Sequence, residues 1–300
     1  MKAAILGFLC ERLGEYVSGE EISRALGISR MAVKKHIDGL KERGYEVVSA
    51  KRRGHMLASL DDVFDEISAE LFLRRKGLSL SLRFFEETDS TNLQAKRLAA
   101  KGSGIVAAAA QWGGKGRMGR SFVSRPGGIY FTYYCRPKGL SPMDALKAVF
   151  CAALAAQRAI SKYVECGIKW TNDIYAGDKK VCGILCEMVS DNDSVELLLE
   201  GIGINVNNEI DGSLADKAAS LRQLAGRKIS RAELFSETVY FLKHYNNLLF
   251  SGRFDEVLRE YKSKCVTIGR RVEVLGDGSF TGIAEDIDEN GFLVVKTSSG

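Results

Sequence analysis

Residues 17–47 read VSGEEISRALGISRMAVKKHIDGLKERGYEV, a stretch that marks the ends of its own helices and so leaves little choice of fold. Ser18 and Glu21 form an S-x-x-E capping box, which opens a short helix running to Leu26. Gly27 breaks that helix, Ser29 is a good N-cap for the next, and Gly44 suits the C′ position that closes it. On the second helix Val33, Ile37 and Leu40 share one face and must pack inward, which leaves Arg30, Lys34 and Lys41 on the other. His36 reads as a surface or packing residue. Two short helices joined by a glycine-containing turn form a helix-turn-helix, whose second helix enters the major groove of duplex DNA.

The following YEVVSAKRRGHML reads as two short strands around Lys51-Arg52-Arg53-Gly54, a hairpin wing with a cationic tip. Wing cations usually meet backbone phosphate, so they add affinity more than sequence choice. Ser29, Arg30, Lys34, Lys41, Arg52 and Arg53 are therefore the candidate DNA contacts. Of the net charge of +5, residues 1–60 carry +4 (eleven Lys/Arg against seven Asp/Glu), which leaves +1 for the remainder. Such asymmetry points to an anionic partner for the N-terminal segment. The opening MKAAILGFLC has the lysine and apolar run of a signal peptide. No small-residue cleavage site follows it, and Leu6, Leu9 and Leu13 keep helical spacing, so a first helix is expected. No apolar run approaches the ~20 residues of a membrane span. Seven cysteines without a CxxC pair fit reduced thiols in the cytoplasm better than a disulfide framework or a zinc site.

From Asp61 the composition changes. A helix is expected over Asp61–Arg75, then the strand SLRFF, then Asp89, Ser90 and Thr91 as N-caps for the helix LQAKRLAAKG. GIVAAAAQ is a buried strand that runs into QWGGKGRMGR, Gln111–Arg120, with four glycines and three cations in ten residues. Glycines let backbone N–H groups approach a ligand, and Lys and Arg meet an anion, so a phosphate is the expected guest. Neither standard phosphate fingerprint fits: Lys115 is followed by Gly116 rather than Ser or Thr, and no helical pattern follows the glycines. A mobile basic surface loop is the other reading of this stretch. GGIYFTYYC, GIKWTND, KKVCGILCEMV and SVELLLEGIGINV read as strands, Met143–Tyr163 as one alanine-rich helix, and further helices run to about Lys264. Without strict strand–helix alternation, an α+β domain with a mixed sheet is expected rather than a doubly wound one.

The order DSTN, Q-x-x-G-[RK]-G-R-x-G-R, KW-x-ND, K-x-x-GIL-x-E and G-x-G-x-N, here Asp89–Asn92, Gln111–Arg120, Lys169–Asp173, Lys180–Glu187 and Gly201–Asn205, resembles that of biotin protein ligases. With the helix-turn-helix ahead of it, the chain resembles the bifunctional members, which also repress biotin-synthesis genes. The resemblance implies an α+β multidomain protein. A winged helix-turn-helix would span residues 1–60, a mixed-sheet α/β ligase domain like that of class II synthetases 61–264, and an SH3-like small β-barrel 265–300. It implies biotin and ATP as substrates with Mg²⁺, and biotinyl-5′-adenylate as the intermediate that acylates a lysine of a biotin carboxyl carrier protein domain. Duplex operator DNA and an adenylate-promoted homodimer are the other implied partnerships.

By the same resemblance Ser90, Thr91 and Gln111 hydrogen-bond the ureido head of biotin, with Asn92, Gly114, Gly116 and Gly183 also on the biotin side. Lys115 and Arg117 face the phosphate, Arg120 the outer phosphates of ATP, and Lys180 the carboxyl oxygens; Lys180 and Arg117 are the implied catalytic pair. Asp173 is the Mg²⁺-side carboxylate with Asn172 beside it, Phe122 an aromatic lid, and Asn205 a contact to adenine. Strand alternation puts Lys179 in solvent, opposite Lys180. Three positions depart from the pattern: Lys115 for the usual Arg, Thr171 for the usual Pro, and Phe122 for a common Trp.

Short strands joined by Gly-Asp-Gly and Glu-Asn-Gly turns after Val266 predict the small barrel, as a cap or a carrier-docking surface, with its closing strand missing by Gly300. A DNA-binding biotin sensor without ligase activity, and a lipoate-ligase-type acyl transferase, are the competing readings; the loop typical of the latter is absent.

Overall fold

The computed structural model describes residues 1–59, 62–99, 102–191, 193–275 and 278–297. It divides into two compact units, residues 1–79 with 228–236, and residues 80–227 with 237–300.

The N-terminal unit holds α1 (Lys2–Cys10), α2 (Gly19–Leu26), α3 (Arg30–Lys41), the antiparallel pair β1 (Val47–Ala50) and β2 (Gly54–Leu57), and α4 (Glu66–Arg75). Ile5, Leu6, Leu9, Ile22, Val33, Ile37, Leu40 and Leu57 have no exposed surface and form one core. Ile67 and Leu71 of α4 join it, so this helix, expected to open the central domain, belongs to the N-terminal unit. Asp61, where it was expected to start, lies outside the described residues. Helix α1 is also shorter than its leucine spacing suggests, since it ends at Cys10 and Leu13 is exposed. The α2 capping box is half formed: Ser18 accepts the Glu21 N–H at 3.0 Å, but the Glu21 carboxylate reaches Arg12 instead. Gly27 turns the chain in the left-handed region (φ 64°), and Ser29 caps α3 through the Ala32 N–H.

The second unit is built on a seven-stranded mixed sheet of β3 (Ser81–Thr88), β4 (Gly104–Gln111), β5 (Ile129–Cys135), β6 (Gly167–Lys169), β7 (Asp173–Ala176), β8 (Lys179–Ser190) and β9 (Val195–Ile204). Its order is β3-β4-β5-β9-β8-β7-β6, and only the β3–β4 pairing is parallel. Helix α5 (Thr91–Leu98) packs on β4, β5 and β9. The expected single helix over Met143–Tyr163 is two, α6 (Pro142–Ala145) and α7 (Ala148–Ile160). Lys147, between them, and Phe150, in the first turn of α7, donate to carbonyls three residues back, which interrupts the four-residue ladder. The alanines of α7 are buried on nearly every side, which lets the helix sit close against β8 and β9. Helices α8 (Leu221–Ala225), α9 (Arg231–Phe250) and α10 (Phe254–Lys264) follow.

The C-terminal segment forms an antiparallel sheet of β10 (Arg271–Val274), β11 (Phe280–Ile287) and β12 (Leu293–Lys296), three strands among the described residues where a small barrel was expected. Gly276 and Asp277, in the expected first turn, lie outside them. This sheet groups with the central unit rather than standing alone. Trp170 fastens it, donating from its backbone to Thr267 Oγ1 (2.9 Å) and from Nε1 to the Gly291 carbonyl (3.1 Å).

Candidate active site and DNA-facing surface

A cleft of about 590 Å³ opens on the central sheet. One wall is the glycine-rich stretch, which is a hairpin. Gln111 N–H bonds Ser124 O, Phe122 N–H bonds Gly114 O, and Gly116 N–H bonds Arg120 O. At its tip Met118 takes a left-handed conformation (φ 56°) and is 88% exposed. The tip returns across the cleft, and Arg117 Nη1 donates to Thr171 Oγ1 (2.6 Å) and Asn172 Oδ1 (3.2 Å). Lys115, Gly116, Arg117, Arg120 and Phe122 all line the cleft. Gly114 does not; a Cβ there would lie 2.4 Å from Phe122 O, so its bare backbone serves the hairpin.

The floor comes from the start of α5 and from β8 and β9. The helix-capping expectation for Ser90 fails, because its side chain makes no cap bond. The Thr91 N–H is instead met by Gln111 Oε1 at 2.7 Å, twenty residues away, while Gln111 Nε2 donates to Ser124 Oγ. Ser90, Thr91 and Gln111 do meet at the cleft. Asn92 also reaches it, but its polar atoms are engaged: Thr132 Oγ1 donates to Oδ1, and Nδ2 donates to Leu185 O and Glu187 Oε2. Asn92 therefore ties α5 to β5 and β8. Asp89 holds the turn from behind: burial pushes its carboxyl upward, but the Ser90 N–H and Arg97 more than offset this and keep it below the usual range.

Gly201 and Gly203 leave room for these groups, since a Cβ at 201 would lie 2.3 Å from Asn92 Oδ1 and one at 203 would lie 2.6 Å from the Phe122 ring. Phe122 rests over Gly203 and Gly183, as a lid on bare backbone. Lys180 lines the cleft and pairs with Asp173 at 2.6 Å. Lys179 points elsewhere, as alternation predicts, but it is not simply solvated: its Nζ donates to the Ala215 and Asp216 carbonyls. Asn205 follows directly on β9, which ends at Ile204; it is buried, accepts from Asn208 Nδ2, and is not among the residues that line the cleft.

In the N-terminal unit, Ser29, Arg30, Lys34, Lys41, Arg52 and Arg53 are all exposed, while Val33, Ile37 and Leu40 are buried. The face expected to meet DNA is thus presented. Two of its cations carry internal contacts. Lys41 Nζ donates to Ser49 Oγ (2.8 Å), which bonds His55 Nδ1, and Arg53 stacks on Tyr16 at 4.0 Å. His55 is held below its ordinary value, by burial first and by Lys41 second. At the wing turn Gly54 (φ 104°) is required, because a Cβ would lie 2.1 Å from Val17 O.

Residues 83–207 match the Biotin/lipoate A/B protein ligase family, residues 2–56 an HTH domain, and residues 267–300 the Biotin protein ligase C terminal domain. Over 297 residues the chain is 34% identical to the Bifunctional ligase/repressor BirA of Bacillus subtilis, covering 95% of this chain and 91% of that one. The chain belongs to the bifunctional biotin protein ligase/repressor family. The BirA of Escherichia coli is 27% identical over 94% of this chain. Biotin protein ligase from Aquifex aeolicus in complex with biotin and ATP superposes with a TM-score of 0.66 at 28% identity, over 73% of this chain and 93% of that one.

Within this ligase family member, the C-terminal sheet supplies a wall of the cleft that no local motif announces: Thr267, Val272, Glu273, Val274, Leu275 and Leu293. Trp170 and Lys169 also line it; both stand in the KW-x-ND motif, but neither was among the candidate site residues. Thr132 was missed too. It is fully buried on β5 and bonds both Thr91 and Asn92, a role visible only once the strands are paired. The seven cysteines are free thiols, four of them buried. Among the described residues no helix is long and apolar enough to cross a membrane.

Proposed function

We propose that the chain is an ATP-dependent biotin protein ligase that forms biotinyl-5′-AMP, transfers the biotinyl group to a lysine of a carboxylase carrier domain, and represses transcription in response to biotin. The observation that carries the enzymatic reading is the Lys180–Asp173 pair at 2.6 Å, in a cleft whose opposite wall is a cationic hairpin. Adenylation brings a carboxylate onto an α-phosphate, so two anions must be held together and charge stabilised where it builds. A biotin carboxylate oxygen bonds to the α-phosphorus, the bond to the pyrophosphate oxygen breaks, and pyrophosphate leaves. Lys180 is assigned to the carboxyl oxygens, Lys115 and Arg117 to the α-phosphate, and Arg120 to the outer phosphates. Ser90, Thr91 and Gln111 would orient the ureido head. The carrier lysine then attacks the acyl carbon, and AMP leaves with its bonding pair.

Mg²⁺ fits this site in a limited sense. Among the described residues no group of three or more His, Cys, Asp or Glu side chains could hold a resident ion. Mg²⁺ needs few protein ligands, however, being commonly held by one or two carboxylates plus substrate phosphates. Asp173 would hold it, with Asn172 beside it, and the ion would neutralise phosphate charge.

The exposed cations of α3 and the wing support operator DNA as a second partner. A homodimer promoted by the adenylate is our reading of its assembly, formed through the central sheet, in which β3 is an edge strand among the described residues. Both roles would be exercised in the cytoplasm. Incubation with ATP, labelled biotin and a biotin carrier domain tests the enzymatic reading: covalent label on the carrier is expected. A protein that binds biotin without releasing pyrophosphate would instead be a sensor.

A further inference from the structure

We propose that Thr171 is a positioning residue for Arg117, docking its guanidinium over the cleft so that the adenylate phosphate meets it already in place; this rests on the ligase reading above. The docking site is a rigid post. Trp170 is held by Thr267 Oγ1 and Gly291 O, the Thr171 carbonyl accepts from Tyr261 OH (3.0 Å), and Tyr261 is fully buried. Asn172 is fixed from the other side, its Nδ2 donating to Ile184 O and its carbonyl accepting the Ile184 N–H. Thr171 is 7% exposed, and its β-branched side chain has few rotamers, so the hydroxyl sits in a defined place.

Arg117 comes from the opposite side, on an exposed hairpin tip with no comparable packing. Left alone, such a side chain loses rotamer entropy when it captures a ligand. The post removes that loss in advance. Its two acceptors, Thr171 Oγ1 and Asn172 Oδ1, are neutral, and the nearby Asp173 carboxylate is already paired with Lys180. The guanidinium therefore keeps its full charge for an incoming phosphate and leaves no carboxylate behind. A proline at 171 could not do this, having no hydroxyl.

A double-mutant cycle on adenylate release tests the idea, because two residues acting as a unit are non-additive. Purified full-length protein is loaded with labelled biotin and ATP, and the rate of adenylate loss is followed by rapid filtration. Thr171 acts on the phosphate only through Arg117, so losing its hydroxyl should have the effect of an ordinary net hydrogen bond and let Thr171→Val release adenylate roughly 3- to 10-fold faster. Thr171→Ser should match wild type, since the hydroxyl is kept. In an Arg117→Gly background Thr171→Val should have no further effect, whereas a merely structural role would add. Should Thr171→Val not fold, Thr171→Ala against Thr171→Ser makes the same comparison. An unchanged rate in Thr171→Val, or full additivity with Arg117→Gly, overturns the proposal while leaving the ligase reading intact. A wild type that makes no adenylate overturns both.

Discussion

Lys179 and Lys180 are adjacent on β8, yet the pleat sends one to the loop carbonyls of Ala215 and Asp216 and the other into the cleft beside Asp173. Their substitutions should differ accordingly. Lys180→Ala should cut biotin-dependent pyrophosphate release by on the order of 10²–10³-fold, the usual cost of losing one charge-stabilising donor. Lys179→Ala should stay within a few-fold, its bonds being exposed; equal losses from the two would mean the faces are misassigned. Arg117 belongs to the same scale. A hydrogen bond to a charged group is worth about 1.5–3 kcal/mol, so Arg117→Gly should weaken adenylate holding roughly 10- to 150-fold. Escaped adenylate would then label a bystander such as serum albumin. A bystander left unlabelled, with adenylate retained as in wild type, would remove Arg117 from the phosphate's partners.

At the level of strands and helices, β9 carries both a site face and a buried acid. Glu200 has no exposed surface, and burial pushes its carboxyl from the usual 4.5 up to about 8, with Asn246 Nδ2 on Oε2 opposing only in part. Glu200 Oε1 and Asn246 Oδ1 have no other partner among the described residues, so a neutral acid facing the amide satisfies both. Cys135, Cys151, Cys186 and Tyr133 surround it, and burial raises each of them well above its own ordinary value. Because the folded value is raised, the stabilisation is complete below the unfolded value near 4.5 and is lost as pH climbs toward 8. Urea titrations should show wild type losing at most about 1.4 kcal/mol per pH unit between roughly pH 5 and 8. Glu200→Gln should show little of that slope, and a slope of unchanged size would contradict the assignment.

The same elements mark where sequence reasoning stopped. Helix starts at Ser18 and Ser29 were legible because a cap acts within three residues. The cap at Thr91 was not, because its acceptor is Gln111, on another strand. The glycines of G-x-G-x-N were legible as a motif, while their partners Asn92 and Phe122 are separated from them by long stretches of chain. Asn205 was assigned to adenine by motif alone; its buried bond to Asn208, three residues on, is visible only in the fold.

For the whole molecule, most of the net charge sits in residues 1–60, apart from the residues that line the cleft. The N-terminal cations permit several phosphate contacts, and the log–log salt slope of DNA binding is roughly −0.9 per phosphate neutralised. Replacing Arg52 and Arg53 together by Ala should flatten that slope and leave biotin transfer untouched. Arg52 is expected to contribute more, since Arg53 is already stacked on Tyr16. An unaltered slope would take the wing out of the DNA contact. The C-terminal sheet, which reads locally as a cap, walls the cleft through Thr267 and Val272–Leu275, and only the assembled unit shows it.

The central claim is that this cleft activates biotin with ATP and passes it to a carrier lysine. It is tested most directly by incubating the full chain with ATP, labelled biotin and a biotin carrier domain, beside Lys180→Ala, and measuring both pyrophosphate release and covalent label on the carrier. Stoichiometric labelling by wild type, lost in Lys180→Ala, is the predicted result. Biotin binding by wild type with neither pyrophosphate nor labelled carrier would contradict it.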